Sequence, residues 1–213
     1  MPRKLVHVAL NAGSRQDLVG AWTALGFALD AATGGGFALR DGVRLDFLAT
    51  DDPARRAASI GLSDGPADAP LSGADEAAPC FHLFTASPSA AAEHPNGALG
   101  LRAVVAVAES PADHAEYLSG LTGQREMLAT SAGLEIRLDG GASLDVLSPP
   151  AFAFRFGAAP EAAGFRVAGL VFSVKNPAET ETILRANGLA PRIHSGRLLA
   201  GPIEGVAIAF EQA

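Results

Sequence analysis

Few side chains in this sequence can do chemistry, and most of them stand in short apolar runs. His7 lies in Val6-His7-Val8-Ala9-Leu10, Asp46 in Arg44-Leu45-Asp46-Phe47-Leu48, and His82 in Phe81-His82-Leu83-Phe84-Thr85. Residues two apart on a strand share a face, so Arg44 and Asp46 are placed to form an ion pair. His7 in its apolar strand serves as well for a hydrogen-bonded core histidine as for a ligand. Cys80, the only cysteine, shares a strand face with His82. Its ordinary role is that of a small buried apolar residue; a thiol activated by the imidazole is the alternative. Asp145, in Ser143-Leu144-Asp145-Val146-Leu147, reads as a capping or pairing carboxylate. Arg44, Cys80 and Asp145 are the candidates for lining a substrate cleft.

The remaining polar groups read as structure. His114 falls on an apolar helix stripe, half-buried. His94 and Asn96 precede a glycine, as turn residues do, and His194 sits in a short polar strand. Gly34-Gly35-Gly36 makes a turn, and no Lys-Ser or Lys-Thr follows it to form a phosphate loop.

Three copies of one unit position these residues. Ser14-Arg15-Gln16-Asp17, Ser110-Pro111-Ala112-Asp113 and Asn176-Pro177-Ala178-Glu179 each place a capping side chain ahead of an N3 carboxylate. Two of them add a proline where no N–H is needed. Apolar stripes at helical spacing follow: Leu18, Ala21, Trp22 and Leu25, then His114, Tyr117, Leu118 and Leu121, then a weaker third with Ile183 and Leu184. Gly26, Gly123 and Gly188 stop the helices. A β-rich run precedes each cap (residues 6–10, 103–107 and 170–174), and a closing strand ends each unit (44–48, 143–147 and 207–211). The unit is strand, helix, then three strands, with a period near fifty residues.

Complete units are expected over 4–50, 98–150 and 164–213. Residues 57–86 keep only an opening and a closing strand, as a degenerate fourth unit would. The intervening 51–79 stretch, broken by prolines and glycines, otherwise reads as a surface loop. Residues 151–163, with Phe152, Phe154 and Phe156 alternating, read as an apolar connector packed on the sheet.

Composition narrows the class. A chain of 213 residues, 48% of them hydrophobic and 18% charged, is built to fold and can bury roughly 70% of its unfolded surface. Its net charge is −7, with lysines and arginines scattered, which gives nucleic acid no basic face. The lone cysteine excludes an internal disulfide framework. No apolar stretch has signal or membrane-span length, so a cytoplasmic protein with no membrane partner is expected.

The βαβββ repeat, the acidic residues in the closing strands and the segment His94-Pro95-Asn96-Gly97-Ala98 together resemble the vicinal oxygen chelate superfamily, in particular its glyoxalase-like bacterial members. The resemblance covers nearly the whole chain and is weakest over 51–79. It implies an α+β fold of paired βαβββ modules forming curved half-barrel sheets, as in glyoxalases, bleomycin-resistance proteins and dioxygenases. The halves would be 1–93, partly degenerate, and 94–213, with His94 and Asn96 at a fixed junction between them. It also implies a cleft on the concave side and, in metal-dependent members, a divalent ion held from the first and last strands of paired modules. His7, Asp46 and His82 stand at those positions, which would suit Fe, Mn, Zn or Ni. The sequence departs from the pattern in using aspartate for the usual glutamate and in offering no side-chain donor near Ile60 or Gly61. The second and third units offer only Val104, Asp145, Gly169 and Ala209, so a main cleft there would hold no metal. Two functions stay open: a metal-assisted lyase, isomerase or dioxygenase, and a metal-free binding or sequestration protein whose cleft is lined by Trp22 or the Phe-rich 152–156 stretch. A small-molecule ligand is the expected partner, and exposed sheet edges make a homodimer the expected assembly.

Overall fold

A computed structural model of the chain describes residues 2–30, 35–50, 58–63, 92–161 and 164–213, together with the backbone of 81–84. The first unit runs β1 (Leu5–Ala12), α1 (Arg15–Ala24), β2 (Phe37–Ala38) and β3 (Arg44–Ala49). β4 (Ala58–Ser63) and β5 (Phe81–Phe84) follow. The second unit is β6 (Ala98–Val107), α2 (Ala115–Thr122), β7 (Leu128–Thr130), β8 (Gly133–Arg137) and β9 (Ser143–Leu147). After α3 (Pro149–Phe156), the third is β10 (Arg166–Val174), α4 (Pro177–Ala186), β11 (Arg192–His194), β12 (Arg197–Ile203) and β13 (Val206–Gln212).

One pairing rule recurs four times. First and last strands of a unit run parallel, as in β1 with β3, β6 with β9, and β10 with β13. β4 and β5 pair the same way. First strands then join antiparallel, β1 to β4 and β6 to β10. The result is an array β2-β3-β1-β4-β5 and a second array β7-β8-β9-β6-β10-β13-β12-β11, linked where Val167 pairs with Ala58. The architecture is α+β, of paired βαβββ modules in open half-barrels; among the described residues the first half shows one complete unit and the strand pair β4–β5.

The caps behave largely as their residues dictate. Ser14 accepts from the Asp17 N–H at 3.2 Å, and Asn176 from the Ala178 N–H at 3.1 Å. Ser110 makes no such bond; residues 111–114 wind as a 3₁₀ turn before α2 begins. Gly26, Gly123 and Gly188 all adopt positive φ at the helix ends.

Alternation along each strand sends one set of side chains to the helix layer. Val8, Leu10, Leu45, Ile60, Val104, Leu144, Leu170 and Phe210 join Leu18, Trp22, Leu118 and Leu184 in one continuous core. Trp22 stacks on Phe47 at 5.7 Å and meets Phe172 edge-on at 5.8 Å, which ties the first half to the second. Burial of these large aromatic rings, roughly 25 cal/mol per Å² of apolar surface, makes the junction cohesive. Among the described residues, no helix is long and apolar enough to cross a membrane.

Candidate functional site

The opposite faces of the sheets carry the polar side chains. On the first array, β1 and β3 run parallel with His7 level with Arg44 and Ala9 level with Asp46. The β-period of two therefore turns His7, Arg44 and Asp46 away from the helix layer. The Arg44 guanidinium lies on the Asp46 carboxylate, with Nε 2.9 and 3.0 Å from its two oxygens and Nη2 2.7 Å from Oδ1. His7 Nε2 donates to Oδ2 at 3.0 Å. Gly36 leaves room for this carboxylate, since a Cβ there would stand 2.5 Å from Asp46 Oδ1.

Electrostatics follow from that packing. Burial pushes the His7 imidazole below its ordinary pKa and Arg44 adds to the shift, while the hydrogen bond and charge of Asp46 oppose it. Burial alone would raise the Asp46 carboxyl, but Arg44 and then His7 hold it below the usual carboxylate value. An ionised Asp46 between a guanidinium and a neutral imidazole is the stable arrangement. The His7 side chain is only 6% exposed, whereas those of Arg44 and Asp46 are 18% and 23% exposed and form what this face presents.

Of the three candidate metal donors, the structure thus brings two together. His82 stands on β5 in register with Gly61, which is itself in register with His7. Only its backbone is described. Cys80 lies outside the described residues. Among the described residues no three His, Cys, Asp or Glu side chains gather as a metal site. The Asp46 carboxylate of the His7–Asp46 pair is engaged by the Arg44 guanidinium.

The second array is arranged differently. Register places Ala103 and Gly169 where His7 stands in the first unit, and Asp145 and Ala209 where Asp46 stands. Val104, the position expected to correspond to His7, points into the helix-side core instead. Asp145 is buried and accepts from Arg155 Nη1. Arg155 belongs to α3, which lies against this face through Phe152 and Phe156, their rings stacked at 4.5 Å. The 152–156 stretch, expected as an apolar connector packed on the sheet, does pack there, and it does so as a helix filling part of the half-barrel. Its signals were in the sequence: Ser148 caps Ala151, Pro149 and Pro150 open the helix, and Gly157 closes it. Alternation of the three phenylalanines had masked them, and with them Arg155. Trp22 is fully buried in the helix-side core and lines no cleft.

The other singled-out polar residues are structural. Nδ1 of buried His94 accepts from the Ala28 N–H at 3.1 Å, and its Nε2 donates to the Ala38 carbonyl at 3.2 Å. Asn96 Nδ2 donates to Leu25 O, and its Oδ1 accepts from Ala98 N. His114 stacks on Phe165 at 4.2 Å, and His194 Nε2 donates to the Phe154 carbonyl.

The chain's architecture recurs in solved structures. It matches 2,2',3-trihydroxybiphenyl 1,2-dioxygenase from dibenzofuran-degrading Sphingomonas wittichii strain RW1 with a TM-score of 0.60 and 13% identity, over 100% of this chain and 91% of that one. A mutant 4-hydroxymandelate synthase from Streptomyces coelicolor matches with a TM-score of 0.61 and 16% identity, over 99% and 92%. The chain has the vicinal oxygen chelate fold. A xylose isomerase-like TIM barrel/4-hydroxyphenylpyruvate dioxygenase fusion protein shares the fold too, at a TM-score of 0.55 and 11% identity, over 100% of this chain and 49% of that one. No protein-family model and no curated protein matches the sequence. At such identities, likeness within the vicinal oxygen chelate fold speaks to architecture alone, and function must be argued from the side chains.

Proposed function

We propose that the chain is a small-molecule protein of the vicinal oxygen chelate fold, working as halves 1–93 and 94–213. It holds an oxygen-bearing ligand with fixed charged side chains, without a resident metal ion. The observation that carries this reading is the Asp46 carboxylate, with Arg44 on both its oxygens and His7 on Oδ2. A cation seated there would have to displace the guanidinium. Arg44, held at a defined angle by Asp46, is the group that meets the ligand's oxygens, and His7 positions Asp46.

A second reading is a metal-assisted lyase, isomerase or dioxygenase of the glyoxalase-like kind. Two observations favour it. The 3.0 Å separation of His7 Nε2 and Asp46 Oδ2 is what two adjacent ligands about 2.1 Å from one ion would show. His82 also shares a register row with His7 across Gly61. An ion there would polarise bound oxygens. A homodimer joined along an edge such as β7, where Leu128 is exposed, and a cytoplasmic setting belong to the proposal under either reading.

Metal content decides between them. Protein prepared without chelator, alongside His7→Ala and His82→Ala, is analysed by plasma mass spectrometry. The expected result is far less than one ion per chain in all three. Stoichiometric Fe, Mn, Zn or Ni that disappears in both variants overturns the metal-free reading and establishes the second.

A further inference from the structure

A polar cleft of about 430 Å³ opens beside α3, on the face of the second half opposite the α2–α4 layer. That volume is in the range of small-ligand sites. Its lining is dense in charge. The guanidiniums of Arg102, Arg137, Arg155 and Arg197 face the carboxylates of Glu135, Asp145 and Glu211. Cations outnumber anions there, on a chain whose net charge is −7. A local excess of arginine in a concave site focuses potential toward anions.

The inner groups are mostly paired. The Glu211 carboxylate is held between Arg102 Nε at 3.3 Å and Arg197 Nε at 3.0 Å. Arg155 Nη1 binds Asp145 Oδ2. What is left over is specific. The Asp145 side chain is only 6% exposed, and its Oδ1 is buried without a hydrogen-bond partner among the described residues, as is Nε of the adjoining Arg155. A buried carboxylate oxygen lacking a donor is costly, and a donor brought to it recovers that loss. Arg102 and Arg137 each pair through Nε, Arg102 with Glu211 and Arg137 with Glu135 at 3.5 Å. Yet they are 62% and 88% exposed and reach the cleft with the rest of the guanidinium open to solvent. The site thus asks within for a polar group that donates to Asp145 Oδ1, beside an Arg155 Nε that can in turn donate to it, and for an anion at its mouth.

We infer that this cleft is a binding site for a small carboxylic acid that also carries a hydroxyl or ammonium group. The acid engages Arg102 and Arg137, and the donor group satisfies Asp145 Oδ1. Arginine suits the first task because its planar fork pairs with both oxygens of a carboxylate. This site is separate from the His7–Arg44–Asp46 cluster, and it stands or falls independently of that cluster's metal content.

The test is calorimetric titration of the full chain with malate, aspartate and succinate, which share the anionic groups but differ in the donor. Malate or aspartate is expected to bind on the order of tenfold or more tightly than succinate, the worth of a hydrogen bond to a charged acceptor. Arg102→Ala and Arg137→Ala, both at exposed positions, should weaken binding of the donor-bearing acids several-fold and leave the melting temperature unchanged. Asp145→Asn should bring malate and succinate to similar affinity. No binding of malate or aspartate at millimolar concentration overturns the assignment. So does equal binding of all three acids, or binding indifferent to both arginine variants.

Discussion

Phe156 rests its ring over Gly169, and a Cβ at that glycine would stand 2.9 Å from the ring's Cζ atom. The absent side chain is what lets α3 lie in the second half-barrel. The equivalent strand position in the first unit holds His7, so one structural slot carries an imidazole in one half and admits an aromatic plug in the other.

Gly169→Ala should therefore destabilise the protein by about 1–3 kcal/mol, the usual cost of overpacking a filled core. The penalty should largely vanish in a Phe156→Ala background, where the space is already open. A double-mutant cycle read by denaturant unfolding checks this. Equal penalties in both backgrounds would mean that the ring and the glycine do not depend on each other.

How much of this was legible in the sequence depends on the element. Caps and glycine stops are local chemistry, so the helices after Ser14 and Asn176 could be placed before any tertiary contact was known. The shared face of Arg44 and Asp46 followed from the period of a strand. Strand register is not local: it is the pairing of Val105 with Asp145, matching that of Ala9 with Asp46, that puts Ala103 and not Val104 where His7 stands. α3 was read only as an apolar connector because Phe152, Phe154 and Phe156 alternate, yet only Phe152 and Phe156, one helical turn apart, are buried, while Phe154 is 79% exposed. The arginines of the second cleft come from β6, β8, α3 and β12, and no sequence spacing connects them.

Asp46 gives an acid-side prediction. Its folded pKa is held below the ordinary carboxylate value by Arg44 and His7, against burial. The stabilisation is thus fully present above the unfolded value, near 3.8, and is lost as pH falls through the lower folded value. Asp46→Asn should lower stability at neutral pH by about 1–3 kcal/mol and flatten the acid limb of the stability curve. Urea unfolding between neutral pH and acid measures both. An unchanged acid limb would show that the cluster contributes nothing to pH dependence.

His94 predicts a loss of stability nearer neutrality. Burial lowers its folded pKa and the nearby Arg40 adds to that, while donation to the Ala38 carbonyl opposes it. The unfolded chain takes up a proton near 6.5, and the folded chain does so only at lower pH. Stability is therefore full above that value and declines as pH falls from it toward the folded pKa. His7 shifts in the same direction, so both act in one window. His94→Gln should be less stable at pH 8 yet lose less on acidification to about pH 5.5 than the wild type does, since one of two titrating rings is gone. Thermal melts across that range would refute the assignment if the slopes coincide.

The single tryptophan reports on whether the halves unfold together. Trp22 has no exposed surface and touches Phe27, Phe37 and Phe47 of its own unit and Phe172 of the third. Its emission should be blue-shifted, resistant to acrylamide, and unmoved by acids that fill the second cleft, because the indole lies on the helix side of the sheet. Trp22→Ala should cost about 3–5 kcal/mol, the range for deleting a buried aromatic ring. Trp22→Phe should cost less, since it keeps a ring and removes an indole N–H that finds no partner among the described residues. Since the cluster spans both halves, tryptophan emission and far-ultraviolet dichroism should report one coincident unfolding transition. Two separated transitions would mean that the Trp22–Phe172 contact does not couple the halves.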